Sequence, residues 1–332
     1  MTTPLPAGLP SCLPAYVHTL GHGIHAIDTG FHRAHFDAAY LLVQDGRAAY
    51  IDTGPAPALP RLLGALDALG LARDAVDWVI PTHVHLDHAG CVGQLMQALP
   101  AARVLVHPRG ARHLIDPSAL WQGASAVYGA EEMQRSYGSL LPVPAERVDS
   151  SHDGMVLPWA GRGLLLIDTP GHARHHHCIW DPMSRGWFAG DTFGLSYREF
   201  DRSAEGAETG AWILLSATPV QFDPDALAST IQRLLAADPA CMYLTHYGRV
   251  GDVQRLGQLL QTQLAQMVAL GERVRHLTPH PAREAALQQG LLAIHSASLQ
   301  AHGCTLPADE IQRLLAMDIE LNAQGMGIWL DR

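Results

Sequence analysis

Lysine is missing altogether: the 22 fixed cations of this 332-residue chain are all arginine. That absence excludes a Walker-type phosphate loop, Schiff-base chemistry and a lysine general base, so positive charge must come from arginine, protonated histidine or a metal. Cysteine is sparse and scattered. The five thiols, Cys12, Cys91, Cys178, Cys241 and Cys304, are odd in number and form no C-x-x-C pair, which argues against a disulfide framework or a thiolate zinc site and leaves them as small buried hydrophobes. Long apolar stretches are lacking too. No run of about 18 apolar residues occurs, and the opening MTTPLPAGLPSCLPAY has no basic start followed by an apolar core, so the chain reads as cytoplasmic with no membrane partner. Charged residues make up only 16%, the formal charge is −10 and no basic block interrupts it, so a nucleic acid partner would be repelled.

What remains is a chain able to bury a full core, 48% hydrophobic and well supplied with glycine and proline, as expected of an α/β protein with many short functional loops. Residues 37–52 read as two apolar strands joined at Gln44-Asp45-Gly46-Arg47, where Asp-Gly marks a tight hairpin. The pattern then predicts a helix over 57–70, a buried strand over 76–80, a helix over 89–98 and a strand over 103–107. The irregular, partly helical stretch to about 145 carries Trp121, Tyr128, Met133 and Tyr137 and could wall a pocket. Strands follow at 163–172, 175–181 and 186–191, then a helix at 224–237 and a strand at 242–246. The strand endings at 46–54 and 161–171 look alike, a hint of duplication too short to establish a repeat. Beyond Gly251, amphipathic segments at 253–270, 281–302 and 308–322 are separated by Pro279, Pro281 and Pro307. A main domain over 1–250 with a helical extension over 251–332 is the expected organisation.

The sharpest signal is His83-Val84-His85-Leu86-Asp87-His88, just past the 76–80 strand. Residues two apart on an extended segment face the same way, so His83 and His85 can converge on one ion while the turn into the following helix swings Asp87 and His88 toward a second. Two metals need more donors than one loop supplies. His172 in D-T-P-G-H, Asp191 in F-A-G-D-T and His246 in Y-L-T-H-Y-G each follow a strand, at the edge where α/β folds gather their sites.

With that set in view the chain resembles the metallo-β-lactamase fold, a four-layer αββα sandwich of two similar halves, over about residues 20–250. The resemblance implies that His83, His85 and His172 hold one ion, that Asp87, His88 and His246 hold the other, and that Asp191 bridges both. Asp52, in Y-I-D-T-G, is similar to the family's aspartate that orients a ligand histidine. No cysteine stands at a ligand position and the bridging position is aspartate, so the glyoxalase II, lactonase and phosphodiesterase-like branch fits better than antibiotic-hydrolysing enzymes. Flavodiiron proteins, whose loop resembles H-x-E-x-D, are disfavoured because His85 takes the glutamate's place.

The implied activity is a dinuclear metal-dependent hydrolase in which a metal-bridging hydroxide attacks an ester, thioester or lactone carbonyl of a small-molecule substrate, with Asp87 and Asp191 as the catalytic carboxylates. The all nitrogen and oxygen donor set suits two zinc ions best and does not exclude iron or manganese. Tyr197 and Arg198 after Asp191, and Tyr247 and Arg249 after His246, are the candidates for touching substrate. His32, His35, His175, His176 and His177 are surplus to a seven-ligand site, and Cys91 is expected to pack on its helix. The C-terminal helices are placed like glyoxalase II's thioester-binding region without a matching glutathione motif, so they are expected to dock on the main domain or to form a homodimer. Two other readings share the fold: a mononuclear iron persulfide dioxygenase using His83, His172 and Asp191, and a non-catalytic di-iron sensor.

Overall fold

The computed structural model describes residues 13–202, 206–277 and 280–332; Cys12 and Pro279 lie outside them. The chain forms two compact units, one ending at Gly163 and the other running Leu164–Arg332.

In the first unit, strands β1 (Val17–Gly21), β2 (Ile24–Asp28), β3 (Ala38–Gln44), β4 (Arg47–Ile51), β5 (Val76–Ile80), β6 (Arg103–Val106) and β7 (Val148–Ser150) lie side by side in sequence order. The Asp-Gly turn between β3 and β4 forms as predicted, with Asp45 at φ 49° and Gly46 at φ 74°, the pair of left-handed residues a two-residue hairpin needs. The β1–β2 hairpin was not legible, because its turn uses His22 at φ 52° before Gly23, and histidine carries no strong turn signal. From β4 onward pairing turns parallel. Its crossover helix Leu59–Ala68 buries Leu62, Ala65 and Leu66 against Leu41, Tyr50 and Val79, and the helix Val92–Ala98 adds Val92, Leu95 and Met96 to the same core. Arginine does the fastening that lysine cannot. Arg147 donates to the carbonyls of Met96, Leu99 and Ala102, closing the end of that helix with a planar fork. Strand β8 (Met155–Trp159) follows within the same unit, and the division falls inside β9 (Arg162–Asp168).

In the second unit the strands run in the order β13-β12-β11-β10-β9, with β10 His177–Asp181, β11 Gly186–Phe188, β12 Cys241–Leu244 and β13 Gly248–Val250. The helix Pro224–Ala236, capped by Asp223 through the Ala226 amide, packs on the helix Val253–Val274. The helices His280–His302 and Ala308–Leu330 complete the unit, the last running eight residues past the predicted end at 322 because Ala323, Met326 and Leu330 remain buried at helical spacing. These helices hold the chain between β11 and the helix Pro224–Ala236. Gln263 accepts from the Leu215 amide and donates to the Ile213 carbonyl, while Asn322 accepts from the Ala217 amide and donates to the Leu215 carbonyl. Two side-chain amides thus stand where neighbouring strands would. Among the described residues no helix is long and apolar enough to cross a membrane.

His295, on the helix His280–His302, is fully buried and edge-on to Trp212 at 6.1 Å, and neither ring nitrogen has a hydrogen-bond partner among the described residues. Burial pushes its pKa from 6.5 down to about 4, so the folded state refuses a proton that the unfolded chain accepts. Its contribution is intact above pH 6.5 and is lost as the pH falls from there toward 4, reaching about 3 kcal/mol. Replacing His295 by Leu is expected to remove that component: the urea midpoint of the variant, relative to wild type, should rise between pH 7.5 and pH 5, and a pH-independent difference would refute the assignment.

Candidate metal centre

The first unit brings four of the motif residues together by ending β5 in a loop that turns straight into the short helix Leu86–Ala89. His83 and His88 are fully buried. The rings of His83 and His85 lie 4.3 Å apart and those of His83 and His88 4.0 Å apart, with His83 Nε2 2.8 Å from His85 Nδ1. Imidazoles crowd this way where they serve as lone-pair donors to a common cation. Asp87 sits at the helix's first turn with its carboxylate 3.8 Å from His88 Nε2.

Asp52 organises the loop. Its backbone, at φ 54°, takes the left-handed conformation aspartate tolerates, which turns the carboxylate back under the ligands. There it accepts from the Thr82 amide (2.6 Å), from the Thr82 hydroxyl (3.0 Å) and from His88 Nδ1 (2.9 Å). Holding the proton on Nδ1 directs the Nε2 lone pair of His88 toward Asp87. Thr53 adds two bonds to the His88 carbonyl, from its amide at 2.8 Å and its hydroxyl at 3.0 Å. The sequence reading missed Thr82, although its place directly before His83 was the available signal. Exchanging Asp52 for Ala is expected to weaken metal retention about 10–100-fold, measured by competition with a chelator; unchanged affinity would remove Asp52 from this role.

The second unit gathers its own three. His172 lies beyond β9, Asp191 beyond β11 and His246 beyond β12. Asp191 stands between the two imidazoles, 3.6 Å from His172 Nε2 and 3.8 Å from His246 Nε2. Those separations are too long for hydrogen bonds and suit a carboxylate and imidazoles sharing cations, all three groups being buried. The Thr218 hydroxyl lies 3.5 Å from the His172 ring nitrogens.

The candidate substrate residues are placed differently. Tyr197 is 1% exposed and its hydroxyl donates to Asp318 at 3.0 Å, tying the loop after Asp191 to the last helix. Arg198 donates to the Ser196 carbonyl and pairs with Asp201 at 3.2 Å; burial pushes Asp201 up to about 6 against that arginine's pull. Tyr247 is buried, its amide donating to the Ser196 carbonyl, and Arg249 pairs with Glu208. Of the surplus histidines, only His177 lies in a strand, while His176 shares a hydrogen bond of 2.7 Å with Thr169 Oγ1. His32 packs on Phe31 and Phe36, and the His35 amide donates to Asp28. Cys91 directs its thiol at the Ala56 carbonyl, and burial pushes the thiol up to about 12. Among the described residues, Cys91, Cys178, Cys241 and Cys304 form no disulfide.

The family model described as Metallo-beta-lactamase superfamily matches residues 33–246. A solved archaeal member from Sulfolobus tokodaii, ST1585, aligns over 92% of this chain and 98% of its own with a TM-score of 0.63 at 21% identity, showing the shared fold. The chain has the metallo-β-lactamase fold and belongs to that superfamily. In sequence it is 25% identical to the Sulfurisphaera tokodaii protein ST1585 over 60% of this chain and 69% of the relative. It is 29% identical to the Bos taurus acyl-coenzyme A thioesterase MBLAC2, covering 54% and 67%, and 25% identical to the Aeromonas hydrophila hydroxyacylglutathione hydrolase, covering 62% and 59%. Hydrolases thus stand among its relatives, and its histidine and aspartate groups are candidate metal ligands.

Proposed function

We propose that the protein is a dinuclear metal-dependent hydrolase acting on a thioester, ester or lactone, with His83, His85 and His172 on one ion, Asp87, His88 and His246 on the other, and Asp191 on both. The observation that carries this reading is the Asp52 carboxylate, buried and bonded to His88 Nδ1 beneath three crowded imidazoles, which leaves the His88 Nε2 lone pair to serve a cation. When bound, the ions lower the pKa of a water to about 7 and polarise the substrate carbonyl. The chain's own part is to hold the ligands and to move the proton. Asp87, 23% exposed beside the fully buried His88, is the ligand-loop carboxylate with a path to solvent and takes the proton away. Two of the relatives are named as an acyl-coenzyme A thioesterase and a hydroxyacylglutathione hydrolase, which supports trying thioesters first.

The test is removal and return of metal. The stripped protein should be inactive on a panel of thioesters, lactones and esters, and zinc, iron or manganese should restore turnover at two ions per chain. Absence of hydrolysis with every metal would end the reading, and one iron per chain with oxygen uptake on a persulfide would replace it with a dioxygenase.

A further inference from the structure

Between β6 and β7 the chain makes an excursion through the helices Pro108–Ile115 and Ser118–Tyr128 and a wider helical turn, Met133–Tyr137. The helix Ser118–Tyr128, SALWQGASAVY, is mostly apolar, yet none of its residues is buried. Beside it opens a pocket of about 420 Å³, within the range of about 300–1,000 Å³ of small-molecule sites. Among the described residues, none that lines it is charged. Pro117, Trp121 and Leu140 supply apolar surface, and glutamines and serines supply the rest, so an ionic group there would lose hydration without a partner.

Gln134, Ser139 and Leu140 on the pocket belong to a segment that is hydrogen-bonded to the helix after the ligand loop. Gln134, on the pocket, shares its turn with Tyr137, which is buried against Tyr128 and Phe31 at ring separations of 5.4 and 5.2 Å. Burial holds the Tyr137 phenol well above its ordinary range. Ser139, also on the pocket, takes a hydrogen bond from Gln94 on the helix that follows the ligand loop. A smaller pocket of about 280 Å³ borders the same turn through Arg135 and Ser136, but it carries Arg135 and His32 and so has a different character.

We propose that the pocket beside Trp121 receives the uncharged, apolar acyl part of the substrate, so that chain-length preference is set by the helix Ser118–Tyr128. This rests on the hydrolase reading for the identity of the occupant. An apolar chain entering this pocket would meet the half-buried Trp121 and Leu140, and covering the carbon surface they still expose is the favourable term in binding.

Calorimetric titration of the zinc-loaded protein with two non-hydrolysable thioethers, S-decyl- and S-ethyl-N-acetylcysteamine, reads the pocket without turnover. Wild type should bind the decyl compound at least about tenfold tighter than the ethyl one, as expected for covering one large side chain. Trp121→Ala, at a half-buried helical position, and Leu140→Trp, which fills the space, should each erase that preference while leaving ethyl binding as it was. A wild type indifferent to chain length, or a preference that survives both substitutions, would overturn the proposal. The thioester panel separates the two levels: decyl binding that depends on Trp121 without hydrolysis would refute the hydrolase and keep the pocket, and hydrolysis with no chain-length dependence would do the reverse.

Discussion

Asp191→Asn is expected to lower turnover by at least about a thousandfold, several kcal/mol of lost stabilisation at the reacting centre, and to leave the protein with no more than one metal per chain. The substitution keeps the size of the side chain and removes its charge. Asp191 is the carboxylate between His172 and His246, and an amide would offer a neutral oxygen where the two cations of the proposed centre would need an anion between them. The metal-free forms of variant and wild type should unfold at similar urea concentrations. Adding zinc should stabilise wild type far more, because a bound ligand stabilises the folded state by an amount that grows with the logarithm of its affinity. A variant that retains two ions and wild-type turnover would remove Asp191 from the bridging position and the dinuclear scheme with it.

The second large effect lies in the last helix. A Cβ on Gly325 would overlap the Ala217 carbonyl oxygen, a backbone atom that cannot swing aside. Gly325→Ala is therefore expected to destabilise the protein by about 3 kcal/mol, the upper part of the usual cost of overpacking. Because Ala217 precedes Thr218, whose hydroxyl lies by His172, displacement of the helix should also loosen metal retention. The control is Gly327, two residues on, where no described atom lies within 4 Å of the added carbon. Gly327→Ala should stabilise by up to about 1 kcal/mol through helix propensity alone. Equal urea midpoints for the two variants would contradict this account of the contact.

How much of this could be read from the residues follows from the range of the interactions. The β3–β4 hairpin was legible because Asp45-Gly46 encodes its own turn, and the β1–β2 hairpin was not because His22 takes the same backbone shape without advertising it. His83, His85, Asp87 and His88 declared themselves because ligand spacing on one loop is local. Asp52 was singled out by its strand ending Y-I-D-T-G, and its carboxylate lies 2.9 Å from His88 Nδ1. The bond from Tyr197 to Asp318, 121 positions away, has no local signature. Proximity in sequence to Asp191 suggested a role at the substrate; the structure places Tyr197 buried, its hydroxyl on Asp318. The Trp121 pocket was foreshadowed only as an irregular stretch, since which aromatics face open space depends on the turn Met133–Tyr137 that no periodicity announced.

The segment between Ile213 and Ala217 is gripped by Gln263 and Asn322, neither of which carries a charge. Ions in solution have nothing to screen there and protons nothing to titrate. The clasp that keeps Thr218 beside His172 should accordingly stay shut across wide swings of salinity and acidity.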